Sequence, residues 1–424
     1  GADMAFFSLG LAISSAYTVL PLFVSHLTPN NVAIAAIPAI RALGLYGPQL
    51  LVAPLVERRR HALPFILVAT IFERVPYLVL ALGALWLAGA HDGLLLAVFF
   101  AMIFIALLGG GLTYPAWLDM ISRAVPTDWK GRFFGFWFGA GGVLGIGGAA
   151  IAAAILAQVA WPLNFALCFG LTFAAMVVSF VLLALGREPE RAVHTAQVEV
   201  SHNQSGRESG GVTAGNLRRT AREQWELLQA DGALRRLLVG NGLVGVATMA
   251  GALFAVSAER LGGLGDAQVG AESTVLFIAM TAGNFLWGML GDRLGHRLVM
   301  AGGSACAAIA ALFALGAHGF WAYAVVFAVL GLNLSGIQLA QFTLITEFGP
   351  EVRRPTYVAL ASVAYAPFAI GAPIVAGFLA NAWGYQPVFV IAAVAGIAAT
   401  LAFRLWVPDP RRRTQVQPAH SAAS

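Results

Sequence analysis

Lysine is almost missing from this chain. Lys130 is the single one, and no G-x-x-x-x-G-K setting surrounds it, so a Walker-type phosphate loop is excluded. H-E-x-x-H and G-x-S-x-G do not occur, and none of the eight histidines falls near the middle of a long apolar run. We therefore expect neither an enzyme nor a bound cofactor or metal. Cysteine is scarce too: Cys168 and Cys306 lie in separate apolar stretches and read as small hydrophobes, not as a disulfide or metal pair. Charged residues make up 11% of the chain against 59% hydrophobic, with a mean hydropathy of +0.79, a balance that excludes an ordinary soluble protein.

What is present is a series of long apolar runs. A membrane-crossing helix needs about 20 mostly apolar residues, and twelve stretches qualify. In the first half they are Ala5 to Leu27, Val32 to Val56, Leu63 to Leu87, Gly93 to Met120, Phe133 to Val159 and Pro162 to Leu185. In the second they are Leu237 to Val256, Ala267 to Leu290, Leu298 to Leu315, Gly319 to Ile345, Tyr357 to Ala380 and Val388 to Trp406. The expected fold class is all-α integral membrane, with twelve transmembrane helices in two pseudo-symmetric six-helix bundles. Residues 1–186 form the first bundle, 187–233 a polar linker with an amphipathic helix near Leu217 to Leu228, 234–406 the second bundle and 407–424 a tail. The first run is long and continues into the bundle pattern, so no cleavable leader is expected.

Basic residues set the orientation. Of the 25 Lys and Arg, only Arg260 falls in a turn after an odd-numbered helix; Arg41 and Arg74 lie inside helices, and the others sit at the even turns or the tail. Both termini are therefore expected on the cytoplasmic side of an inner membrane, with the protein monomeric and multi-pass. The pI of about 9.6 follows from this bias and calls for lipid headgroups as neighbours, not nucleic acid. Arginine-rich, lysine-poor, alanine-rich usage suggests a bacterial source.

Between the eighth and ninth helices lies the stretch WGMLGDRLGHR. Here Gly288, Asp292, Arg293, Gly295 and Arg297 fit G-x-x-x-D-[RK]-x-G-[RK]-[RK]. Gly288 is expected to admit a neighbouring helix, and Gly295 to supply a backbone conformation that other residues resist. A weaker copy follows the second helix: Gln49 stands opposite Asn284, Glu57 opposite Asp292, Arg58 opposite Arg293 and His61 opposite His296, with Ala53 where Gly288 is. LGGGLTYPAW (108–117) and LNLSGIQLAQ (332–341) align without gaps, placing Pro126 on Pro350 and Lys130 on Arg354. Matching landmarks in two halves indicate an internal duplication.

The signature loop, the twelve helices and the duplicated halves together resemble the major facilitator superfamily of secondary transporters. The resemblance implies alternating access, with two bundles rocking about a mid-membrane site lined by the first, fourth, seventh and tenth helices. Asp292 and Glu57 would then close cytoplasmic contacts with Arg353 or Arg354 and with Arg132. The cavity candidates are Tyr17, Tyr114, Asn241, Asn333, Gln338 and Gln341, uncharged polar groups that need partners in an apolar setting.

Three ionisable residues are buried deep in the runs: Arg41 in the second helix and Glu73 and Arg74 in the third. Glu73 is expected either to carry a proton or to pair with Arg41; two arginines against one acid also suit an anionic solute. The expected function is proton-linked transport of a small organic solute. A receptor or scaffold on the same fold, a lipid-moving protein and an anion-selective transporter stand as alternatives.

Overall fold

The structure is a computed structural model describing residues 2–57, 62–124, 130–186, 228–229, 231–348 and 354–409. Its first half holds α1 (Ala2–Ile13), α2 (Val19–Leu27), α3 (Asn31–Glu57), α4 (Leu63–Leu87), α5 (Asp92–Ala124), α6 (Lys130–Gln158) and α7 (Leu163–Ala184). Its second half holds α8 (Gly232–Ala247), α9 (Leu253–Arg260), α10 (Asp266–Leu294), α11 (His296–Leu315), α12 (Gly319–Phe348), α13 (Arg354–Trp383) and α14 (Tyr385–Leu401), which runs on into a π-helical turn, Ala402–Trp406.

Joined end to end, α1 with α2 and α8 with α9 make one crossing each, so the chain crosses twelve times, six per half. Among the described residues, nine helices are long and apolar enough to span a bilayer unbroken. The expectation of continuous first and seventh helices is corrected: both are interrupted, at Ser14–Thr18 and at Thr248–Ala252. Pro21, in the first turn of α2, has no N–H to offer the residue four back, which permits the first break. At the second, the Thr248 hydroxyl bonds back to the carbonyls of Val244 and Gly245 (3.1 and 3.2 Å), competing with the helical ladder.

Large apolar side chains point outward over most of the surface, among them Phe72, Val143, Phe285 and Phe378. Exposed tryptophans stand at helix ends (Trp86, Trp321, Trp383), as an aromatic belt at a membrane interface requires. Because lipid is as apolar as leucine, the bundles are held by close backbone approach and hydrogen bonds more than by hydrophobic burial. In the first bundle Gly44 of α3 lies against Leu107 of α5; in the second, Gly331 of α12 lies against Leu276 and Ala279 of α10.

Two long helix pairs carry most of the packing between the bundles, α6 on α10 and α3 on α13, and α2 adds contacts to α9 and α10. The linker expected at 187–233 lies mostly outside the described residues, as does its amphipathic helix. Its last residues already belong to the second bundle, since Asp231 caps α8 by accepting from the N–H groups of Ala233 and Leu234.

Candidate functional site

The two helix breaks face each other. Tyr17, in the first, lies so close to Gly251, in the second, that a Cβ added there would stand 3.4 Å from the tyrosine ring. The Arg41 guanidinium sits over the other part of this corner, 5.7 Å from the Tyr17 ring centroid. Ser14 is tied to Thr172 of α7 (2.6 Å), and Thr172 also donates to the Gly10 carbonyl, so the first break is anchored to its own bundle. Paired interruptions at matching places in two repeats put unwound backbone where two bundles meet, the setting in which a mid-membrane solute finds polar partners.

Toward the end opposite the chain termini, the bundles are stitched together. Thr18 and Ser273 share a hydrogen bond across the interface. Ser25 donates to Glu259 (2.7 Å), and His26 Nε2 lies 3.0 Å from both Asp266 oxygens. Arg260 donates to the Pro29 carbonyl (3.2 Å), to Asn31 Oδ1 (3.0 Å) and to the Tyr385 hydroxyl (3.2 Å). Asn381 accepts from the Asn31 N–H and donates to Asn30. The one arginine on this side of the chain thus serves as a staple between halves.

The expected cavity residues do not form one cluster. Tyr17 is at the junction of the breaks and Tyr114 on α5 is 46% exposed. Asn333 is sealed in protein and donates to the Gly303 carbonyl (2.8 Å), which makes it a tie between α12 and α11. Asn241 is likewise buried, and its carbonyl oxygen has no partner among the described residues. Gln338 is exposed and Gln341 half-buried, one helical turn apart near the terminal side of α12.

The expected Arg41 to Glu73 pair is not formed. Glu73 has Arg74 as its cation, at 3.6 Å, and its carboxylate lies against Gly110 of α5. Arg74 is buried and donates to the Met176 carbonyl (2.8 Å), the Thr70 carbonyl (3.0 Å) and the Ser179 hydroxyl (3.3 Å), fastening α4 to α7.

In the signature loop, Gly295 has φ +94° and is the single residue between α10 and α11, as its conformational freedom led us to expect. Around Gly288, no atom among the described residues lies within 4 Å of a Cβ built on it, and the facing side chains of α6 at 130–138 are outside the described set. Asp292 and Arg293 are exposed, and Arg297 donates to the Val407 carbonyl (2.9 Å). Arg58 and Arg353 lie outside the described residues. Glu57, Arg132 and Arg354 fall within helices, but their side chains are also outside the described set.

One buried group escaped the sequence reading. Glu272 of α10 has no solvent exposure, and neither of its oxygens has a partner among the described residues. An acid inside the apolar run Ala267 to Leu290 was the available signal.

Residues 262–423 match a family profile described as Major Facilitator Superfamily. Solved structures extend the likeness over the whole chain. A mutant of the nucleoside transporter NupG superposes with a TM-score of 0.68 at 10% identity, covering 95% of this chain and 98% of that one. A D-xylose-proton symporter gives 0.70 at 14%, covering 97% of each. The xylose transporter XylE from E. coli, in a partially occluded inward-open conformation, gives 0.64 at 13%, again covering 97% of each. No curated protein sequence matches.

Proposed function

We propose that this chain, whose residues 262–423 match the Major Facilitator Superfamily profile, is a member of that superfamily and a secondary transporter carrying a small organic solute across the cytoplasmic membrane by alternating access. The observation that carries this reading is the pair of facing helix breaks at Ser14–Thr18 and Thr248–Ala252, set beneath an inter-bundle seam. Such a seam seals one side of a central site with individually weak contacts, which can be exchanged for others as the bundles rock.

The solute binds around Tyr17 and Arg41, where an aromatic face and a guanidinium suit a polar organic molecule. Tyr114, Gln338 and Gln341 remain candidates for further contacts. Proteins of the same fold include a nucleoside transporter and a D-xylose-proton symporter, which supports a polar metabolite and a proton as cargo. Transport is proton-linked, because the spans hold carboxyl groups at Glu73 and Glu272. The termini face the cytoplasm, on the strength of the arginine distribution, and one chain forms the working unit.

The test is thermal stability of the purified protein against metabolites, drugs and lipids, followed by uptake of any hit into proteoliposomes. A ligand that binds only the folded state raises the midpoint by mass action. A soluble hit that is accumulated, with both effects lost in Tyr17→Ala, supports the reading. Shifts from lipids alone, with no solute flux, would favour a scaffold or lipid-moving role instead.

A further inference from the structure

The arginines in and beside the spans differ in what meets them. Arg74 has Glu73 and three hydrogen-bond acceptors, and Arg260, in the seam, has three acceptors of its own. Arg41 has neither an acid nor an acceptor among the described residues; what it meets is the Tyr17 ring, 5.7 Å from its guanidinium. It stands ten residues after Asn31, the first of α3, which is about 15 Å along the axis and close to the middle of a hydrocarbon core about 30 Å thick. A charge at that depth is costly unless it is paired or wet. Its side chain is half-buried instead of sealed, at the corner where the two helix breaks meet.

Glu73 does not answer this charge. Both groups reach Tyr77 of α4 electrostatically, but the Glu73 carboxylate is held by Arg74 at 3.6 Å and lies against Gly110. Packing does not call for an arginine either. The register that sets Gln49 on Asn284 and Glu57 on Asp292 sets Leu276 on Arg41, and Leu276 is packed in the core. An apolar side chain thus serves the equivalent position of the second half, and the guanidinium of the first answers a different need.

We infer that the transported solute carries an oxyanion, a carboxylate or a phosphate, and that Arg41 selects it. A guanidinium presents its N–H donors in a planar fork that matches two oxygens of such a group. The Tyr17 hydroxyl, itself without a hydrogen bond among the described residues, is a further donor at the same corner. The anion brings the negative charge that no described side chain brings. Arg74 is not a second selector, because its donors are already engaged within the first bundle. The inference rests on the transporter reading of Tyr17 and Arg41 and adds to it the charge of the cargo.

The probes are matched pairs that differ in charge: benzoate with benzamide, gluconate with glucose, and ribose 5-phosphate with ribose. Thermal midpoints of the purified full chain are read with each at constant ionic strength, so that general salt effects cancel. At least one acid is expected to raise the midpoint while its neutral partner does not, and whether carboxylates or phosphates do so names the oxyanion. In Arg41→Gln and Arg41→Met the acid should bind about ten- to hundredfold more weakly, whereas Arg41→Lys should keep part of the shift. Without any probe, Arg41→Met should melt at or above the parent, because it removes an unmet charge.

Acids whose shifts survive in Arg41→Met, neutral partners that bind as well as the acids, or a panel in which no acid moves the midpoint would each overturn the inference. So would an Arg41→Met protein that melts well below the parent without a probe, since Arg41 would then be holding the fold. The two readings fail separately. Acids that bind through Arg41 but are not accumulated in proteoliposomes would sink the transporter reading and leave the anion site standing. A neutral solute accumulated regardless of Arg41 would do the reverse.

Discussion

The two halves share a plan and differ in how each disposes of its awkward groups. In the first, Glu73 has Arg74 beside it, and Arg74 spends its remaining donors on three acceptors of α4 and α7. In the second, Glu272 is buried with no cation and no donor among the described residues. The close approaches are also traded between halves. Gly44 makes room for Leu107 in the first; at the matching positions of the second, Ala279 and Gly331, the glycine is on the other helix. A glycine is present in both places, and the duplication has left the choice of side free. The first half gives its buried acid a cation, whereas the second keeps a buried carboxyl group without a partner among the described residues.

Removing Arg74 should break this contrast most severely. Arg74→Leu leaves Glu73 without its cation and three acceptors without their donor, an expected loss of about 3–5 kcal/mol. A thermal melt in detergent should show it, and pairing it with Glu73→Leu should restore much of the loss. Glu272→Leu, by the same reasoning, should be neutral or stabilising in the sealed state. If it proves as damaging as Arg74→Leu, the two halves do not differ as stated.

The glycine exchange offers a sharper comparison of smaller size. Gly44→Leu and Gly331→Leu should each cost about 1–3 kcal/mol by overpacking. An added Cβ would stand 2.6 Å from the Leu107 Cβ in the first case and 2.5 Å from the Leu276 carbonyl oxygen in the second. Leu107→Gly should rescue much of the first in melting experiments, because its shortest approach is to a side chain, with Leu107 C and Leu108 N farther off at 3.2 and 3.3 Å. No side-chain change should fully rescue the second, because the clash includes backbone. Equal rescue at both sites would argue against the exchange.

Much of this architecture was legible in sequence. Hydropathy gave the twelve crossings, and paired motifs gave the duplication, since both depend on local composition. Gly295 was legible because a one-residue turn demands a left-handed backbone. The helix breaks were not, because Ser14 and Thr248 act through bonds to neighbouring carbonyls and to Thr172, which an apolar run does not reveal. Asn333 reads as a cavity residue because it is an uncharged polar group in an apolar run, yet it turns to the Gly303 carbonyl, a choice fixed by α11. Arg41 and Glu73 were paired by charge alone, whereas Arg74 had the advantage of adjacency. Glu272 was visible as an acid in an apolar run, but its isolation depends on what every packed helix lacks.

A smaller effect is expected at Gly251, where the second break receives the first. Gly251→Val should push against Tyr17 and cost about 1–2 kcal/mol, with relief from Tyr17→Ala in a double-mutant cycle. Additive effects in that cycle would show that the breaks do not bear on one another, and would weaken the proposed solute site with them.

The smallest effect belongs to His26, the edge of the seam, where side chains are partly in water. Its imidazole makes a hydrogen bond to Asp266 when neutral and an ion pair when protonated; burial works against the charged form, but Asp266 holds the imidazole pKa above the usual value, so the His26 contribution is fully present below about 6.5 and is lost as pH rises through that raised value. His26→Gln should therefore destabilise by less than about 1 kcal/mol, and only on the acid side of that range. Melting curves of parent and variant should converge as pH rises. If they stay apart at high pH, where the imidazole is neutral, the stacking of His26 on Trp161, with ring centroids 4.7 Å apart, outweighs its charge.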